Sequence, residues 1–162
     1  MREIKFRAKT CKGEWVDGYY VKAQKLNNKG DEHYIIEYES TGATYLIDKN
    51  TVCQYTGLKD KNGKEIWEND IVCFQFDNDN CTLPYTDTKK RYGKIFFSDY
   101  RASFAIAMGR NGSKSMNNDL YKYVQCGNRV EVIGNIFDNP ELLDADKQAS
   151  KYADNDVMKP VT

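Results

Sequence analysis

His33 is the single histidine among 162 residues, and imidazole is the side chain whose ordinary pKa suits proton transfer near neutrality. Beside the apolar run HYIIEYE it reads as a structural or exposed residue. Triads and histidine-rich metal sites lose their main ingredient. The five cysteines, Cys11, Cys53, Cys73, Cys81 and Cys126, include no C-x-x-C pair, which argues against a zinc knuckle or redox site. Cys53 and Cys73 fall within VCQY and IVCF, where a reduced thiol serves as a small core residue. Cys81, in FDNDNCTLPY, reads as exposed, and nothing nearby stabilises its thiolate. The run DNDNC puts Asp77 and Asp79 at positions 1 and 3 of a calcium-loop pattern, but Cys81, Thr82 and Thr88 stand at the positions of its third ligand, its glycine and its bidentate glutamate. Neither G-x-x-x-x-G-K-[ST] nor G-x-G-x-x-G occurs. These residues therefore offer no catalytic, metal or cofactor site, and the expectation is a chain that is not an enzyme.

Two basic groups remain. Lys59, Lys61 and Lys64 lie in LKDKNGKE, partly neutralised by Asp60 and Glu65. Asp60 can start a turn by bonding forward to the backbone, and Asn62 and Gly63 tolerate positive φ, so the stretch is expected to be the solvated tip of a hairpin. The second group is Lys89, Lys90 and Arg91, flanked by Tyr85 and Tyr92, with Tyr100 and Arg101 in the expected hairpin turn FSDYRASF. Cations beside aromatic rings suit single-stranded nucleic acid, whose bases stack and whose phosphates need neutralising. Against this, 24 basic and 24 acidic residues cancel, whereas a general polyanion binder carries a basic excess. Nucleic-acid binding is the alternative reading, with Lys89, Lys90, Arg91, Tyr92, Tyr100 and Arg101 as its contacts.

The elements that must position these residues are mostly strands. Twelve Tyr and seven Phe, with many Val and Ile, occur in short runs broken by Gly, Asn and Asp, which favours β structure. In REIKFRA, Ile4, Phe6 and Ala8 alternate with Lys5 and Arg7, a period of 2 that buries one face. Further strands are expected at WVDGYYVKA, HYIIEYE, ATYLID, VCQYTG, DIVCFQF, YGKIFFS, SFAIAM, LYKYVQ and RVEVIGNIF. One helix is expected from about Pro140 to Tyr152, capped by Asn139, with Leu142, Ala145, Ala149 and Tyr152 on one face. The stretch after Ala153 is expected to fray. The opening MREIKFRAKT lacks the apolar run of a signal peptide, and no segment approaches the roughly 18 apolar residues of a membrane helix. A soluble protein of a bacterial cytoplasm, without membrane contact, is the expectation.

The run QYTGLKDKNGKEIWENDIV, with REIKFRAK before it and VEVIGNIFDNPELL after it, resembles the YopX family of phage and prophage proteins from Arg2 to about Leu143. The resemblance is strongest to the pattern Q-Y-T-G-L-K-D-K-N-G-K-x-I-x-E-G-D-I-V, from which this chain departs by placing Asn69 where glycine is usual. Asparagine is the non-glycine residue most at home with positive φ, so a left-handed backbone that redirects the chain is expected there. Asp60, Asn62, Gly63 and Asn69 are then structural turn residues. The resemblance implies a mainly β chain with a small SH3-like barrel in its C-terminal part, behind a smaller β-rich N-terminal part. The expected divisions are 1–53, the barrel at 54–139 with a long polar loop at about 75–93, and a C-terminal helix and tail at 140–162. No activity comes with the family. A non-catalytic protein-interaction module is the leading expectation, because strand edges must be covered or paired. It would work as a homo-oligomer or against a host or phage protein.

Overall fold

The computed structural model describes residues 3–24, 30–38, 42–75, 90–108, 119–125, 127 and 129–144. They are mainly β, and they divide into two compact units. One unit holds the chain up to Leu58 with Glu65–Glu68, and the other holds Lys59–Lys64 with the chain from Asn69 onward.

The first unit is built on an antiparallel sheet of β1 (Phe6–Lys9), β2 (Trp15–Gln24), β3 (Asp31–Ile36), β4 (Thr44–Leu46), β5 (Cys53–Lys59) and β6 (Glu65–Trp67). The strand order is β4-β3-β2-β1-β5-β6. Alternation along β1 sends Phe6 and Ala8 to one face, where Ala8, Ile35 and Ile47 form a buried cluster lined by Val16, Tyr20, Tyr45 and Val52. The register Phe6↔Gly18 and Ala8↔Val16 keeps this face continuous into β2. Gly18 is required by space, since a Cβ there would lie 2.1 Å from the Ile36 carbonyl oxygen. A 3-10 turn at Lys49–Thr51 leads into β5, with the Asp48 carboxylate accepting from Asn50 N–H.

The second unit holds an antiparallel sheet ordered β10-β7-β8-β9, made of β7 (Asp70–Gln75), β8 (Lys90–Ser98), β9 (Ser103–Met108) and β10 (Val130–Asn135). Strand β7 is buried from Asp70 through Phe74. Ile71, Val72, Phe74, Ile95, Ile106 and Val130 are fully enclosed, and each such aliphatic or aromatic side chain contributes roughly 1.5–3 kcal/mol by leaving water. Gly93 lies where a Cβ would meet Ile106 at 2.5 Å, so β8 and β9 approach closely there. In β10 the register slips between Val132 and Gly134, a bulge that makes room for one extra residue.

Several expectations need correction. LYKYVQ is not a strand but the helix α1 (Leu120–Gln125). Asp119 caps it by accepting from Tyr121 N–H at 2.8 Å, and Leu120 and Tyr123, three apart, are its buried residues. Gly127, with φ 85°, follows its end. Pro140–Asp144 form a 3-10 turn rather than the first turns of an α-helix, and the rest of the expected helix lies outside the described residues. The barrel expected over 54–139 is absent among the described strands, because both sheets are open. Beyond the expected 53/54 boundary, β5 and β6 belong to the first sheet, where Gln54 and Cys53 pair with Phe6 and Arg7 of β1. The polar loop expected at 75–93 ends earlier, since Lys90–Gly93 are already strand and Gln75↔Lys90 is a registered pair; residues 76–89 lie outside the described residues.

Candidate interaction surface

The lysine-rich stretch is the expected hairpin tip, with Lys59, Lys61, Asn62, Gly63 and Lys64 exposed and only Asp60 buried. Gly63 N–H donates to Asp60 O at 2.9 Å, and Asp60 N–H to Lys64 O at 2.8 Å. With Gly63 at φ 82°, this is a type I turn closed by a glycine in the left-handed region. The Asp60 side chain is 2% exposed as a residue, and its Oδ1 accepts from Asn62 N–H at 2.8 Å and Lys64 N–H at 2.9 Å. Its Oδ2 accepts from Val132 N–H of β10 at 3.0 Å. Lys61 N–H donates to Val130 O at 2.9 Å, and its ammonium lies 2.6 Å from Glu131 Oε2. The hydrogen bond from Lys61 holds the Glu131 carboxyl below the usual glutamate range, and the same bond raises the Lys61 ammonium.

The second basic group is brought together only in part, Lys90 and Tyr92 sharing one face of β8. Lys90, Arg91 and Tyr92 open β8, so alternation places Arg91 on the face of its partner Phe74, and Tyr92 on the opposite face with Cys73. Burial pushes the Cys73 thiol up. Tyr100, 85% exposed, and the exposed Arg101 belong to the β8–β9 turn, at the far end of a nine-residue strand. That length is about 26 Å. Lys89, Tyr85 and Cys81 lie outside the described residues. Cys11 is exposed and Cys53 is buried. His33 is structural: its Nδ1 shares a hydrogen bond with the Tyr20 hydroxyl at 2.6 Å, and the two rings stack at 5.8 Å.

The first sheet carries two features on the face away from its Ala8 cluster. At one end, Lys5, just before β1, and Arg7 and Lys9 within it lie on this side, each over an aromatic ring. Lys5 Nζ lies 4.8 Å from the Tyr55 centroid, the Arg7 guanidinium 4.9 Å from Trp15 and 5.3 Å from Trp67, and Lys9 Nζ 5.4 Å from Trp15. Lys5 also donates to Glu65 at 2.6 Å. Burial lowers the Lys5 ammonium, but the Glu65 contact and charge outweigh it, so its pKa stands above the ordinary lysine value. At the other end lies an apolar patch. Register puts Leu46, Tyr34 and Val21 in one row, and Thr44, Ile36 and Tyr19 in the next. Tyr19 is 57% exposed, Leu46 46% and Val21 38%. Tyr38 packs edge-on against Tyr19 at 4.5 Å, and its hydroxyl, pushed up to about 12 mainly by burial, donates to Gly18 O at 2.8 Å.

The model of the YopX protein family matches residues 5–144. The chain belongs to the YopX family. No curated protein matches it. The crystal structure of protein EF1440 from Enterococcus faecalis is similar, at 26% sequence identity over 88% of this chain and 99% of that one, with a TM-score of 0.48. In this YopX-family chain Asn69 takes φ 65°, the left-handed backbone that lets asparagine stand where the family pattern has glycine. Its N–H donates to Ile95 O at 2.9 Å, and its carbonyl accepts from Ile136 N–H at 3.1 Å. The apolar patch escaped sequence reasoning, although the signal was available: Tyr19 and Val21 alternate with the inward Gly18 and Tyr20. Strand pairing, which the sequence does not state, was needed to set them beside Tyr34, Ile36 and Leu46. Among the described residues no helix is long and apolar enough to cross a membrane.

Proposed function

We propose that this YopX-family protein is a non-catalytic protein-interaction module of phage or prophage origin. It self-associates through the apolar face formed by Tyr19, Val21, Tyr34, Ile36 and Leu46. The observation that supports this reading is the exposure of Tyr19, Val21 and Leu46 on one face of a single sheet. The two rows carry no charged side chain, and such a patch gains most from meeting another apolar patch. The patch always present at matching concentration is that of a second copy, and a two-fold arrangement lets one surface serve both partners. The nucleic-acid alternative has less support, since Arg91 lies on the face of β8 opposite Lys90 and Tyr92, and Tyr100 and Arg101 lie beyond its other end.

Light scattering across a concentration series tests the proposal. The wild-type chain is expected to show a dimer mass, and Tyr19→Ser with Leu46→Lys to weaken dimerisation at least about tenfold while leaving the circular dichroism unchanged. A wild-type monomer at high concentration would falsify self-association, and a dimer that survives both substitutions would remove this face as its site.

A further inference from the structure

Strand β10 ends its sheet, and part of its outer edge is met by the Asp60–Lys61 corner of the hairpin tip. Val130 O and Val132 N–H are two residues apart, the spacing at which one side of a strand presents an acceptor and then a donor to a neighbour. Lys61 N–H meets the first at 2.9 Å and the Asp60 carboxylate meets the second at 3.0 Å. Two adjacent residues thus reproduce the bonding of an added strand. The carboxylate replaces a peptide carbonyl, and a carboxylate offers no further backbone to carry a ladder onward. Between the two bonded positions stands Glu131, whose carboxylate takes the Lys61 ammonium at 2.6 Å.

The geometry points to β10 as a strand-acceptor edge, covered in this structure by the chain's own tip. The partner this edge fits is an extended peptide segment with a cationic side chain facing Glu131. Main-chain bonds to Val130 and Val132 supply the attachment, and the charge at Glu131 selects the side chain between them. Lys61 shows the chemistry of the occupant, since it brings a backbone N–H to Val130 and an ammonium to Glu131 together. An uncovered end strand with such a pattern invites pairing, and covering it is one way a fold avoids unwanted partners.

Two substitutions uncover the edge by different routes. Asp60→Asn keeps an oxygen to accept from the turn and loses the second carboxylate oxygen that holds Val132 N–H. Lys61→Pro removes the N–H given to Val130 and the ammonium at Glu131, at the turn position proline favours. The probe is a seven-residue peptide alternating valine and lysine, titrated into labelled protein and followed by amide chemical shifts. Both variants are expected to bind it, with shifts centred on Val130–Val132. Binding to a valine–glutamate peptide is expected to be at least about tenfold weaker, and the wild-type chain is expected to bind neither peptide. Silence in both variants, shifts centred elsewhere, equal binding of both peptides, or equal binding by the wild-type chain would each overturn the proposal. So would unfolding of both variants, since the tip would then be required for folding and not a removable cover.

Discussion

Two hairpin turns in this chain use similar residues to opposite ends. The tip at Asp60–Lys64 and the turn at Asp99–Ala102 both combine an aspartate, a cation and one residue with positive φ. In the first, the aspartate is buried and accepts three backbone N–H bonds, and glycine takes the left-handed position. In the second, Tyr100 stands almost fully exposed, and Ala102 takes φ 50°, a conformation that costs a residue with a Cβ about 1–2 kcal/mol. The difference teaches that a charged loop exposed to solvent can still tie one buried side chain into a sheet. What decides is whether a neighbouring edge needs its donors and acceptors filled, and β10 has such a need where the described part of the β8–β9 turn has none in view.

Breaking the first turn is expected to have the largest effect. Asp60→Ala strands three N–H groups, two in the turn and one on β10, and is expected to cost about 3 kcal/mol in urea unfolding. A loss near that for a typical exposed substitution would place Asp60 on the surface with the other turn's residues. Exchanging the positive-φ residues sharpens the contrast at smaller size. Gly63→Ala is expected to cost about 1 kcal/mol, from backbone strain alone because its Cβ would meet nothing within 4 Å. Ala102→Gly is expected to gain about 0.5 kcal/mol, the relief being partly offset by the freedom glycine adds to the unfolded chain. Thermal unfolding of the pair should move in opposite directions, and shifts of the same sign would refute the assignment.

The smallest effect concerns charge. Glu131 has a lowered pKa in the folded chain, so the unfolded chain binds its proton more readily. The contribution from this group is complete above the ordinary glutamate value and is lost as pH falls through the folded one. The Lys61 partner, with its pKa raised, contributes fully below the ordinary lysine value and loses this as pH rises through its own. Carboxyl titration by NMR is expected to find the Glu131 midpoint below the normal range in the wild-type chain, moving up in Lys61→Met. An unmoved midpoint would mean that the ion pair does not hold in solution.

Much of this was legible in the sequence, and what was missed has physical reasons. The alternation of Phe6 and Ala8 gives β1 its buried face directly, and Asp60, Asn62 and Gly63 specify a tight turn by their own chemistry. The sheet that β5 and β6 join was not legible, because local pattern sets which way a side chain points but not which strand lies beside it. The helix α1 was misread because Leu, Tyr and Val dominate LYKYVQ and suggest a strand. Its boundary signals, Asp119 before and Gly127 after, were present and should outweigh propensity in so short a segment. The basic run at Lys90–Tyr92 is contiguous in sequence but divided by the two faces of a strand. Of these consecutive residues Lys90 and Tyr92 share one face, and Arg91 takes the other.

The tip as a part of the second sheet is the claim on which the rest depends, and amide hydrogen exchange on the wild-type chain tests it most directly. Glu131 pairs with Cys73 inside the sheet, whereas Val132 N–H has the Asp60 carboxylate as its partner. Protection of the Val132 amide is predicted to match that of Glu131 and to vanish only when the whole sheet opens. Exchange at Val132 as fast as at Tyr100 would contradict the account, and would detach the Asp60 carboxylate from β10.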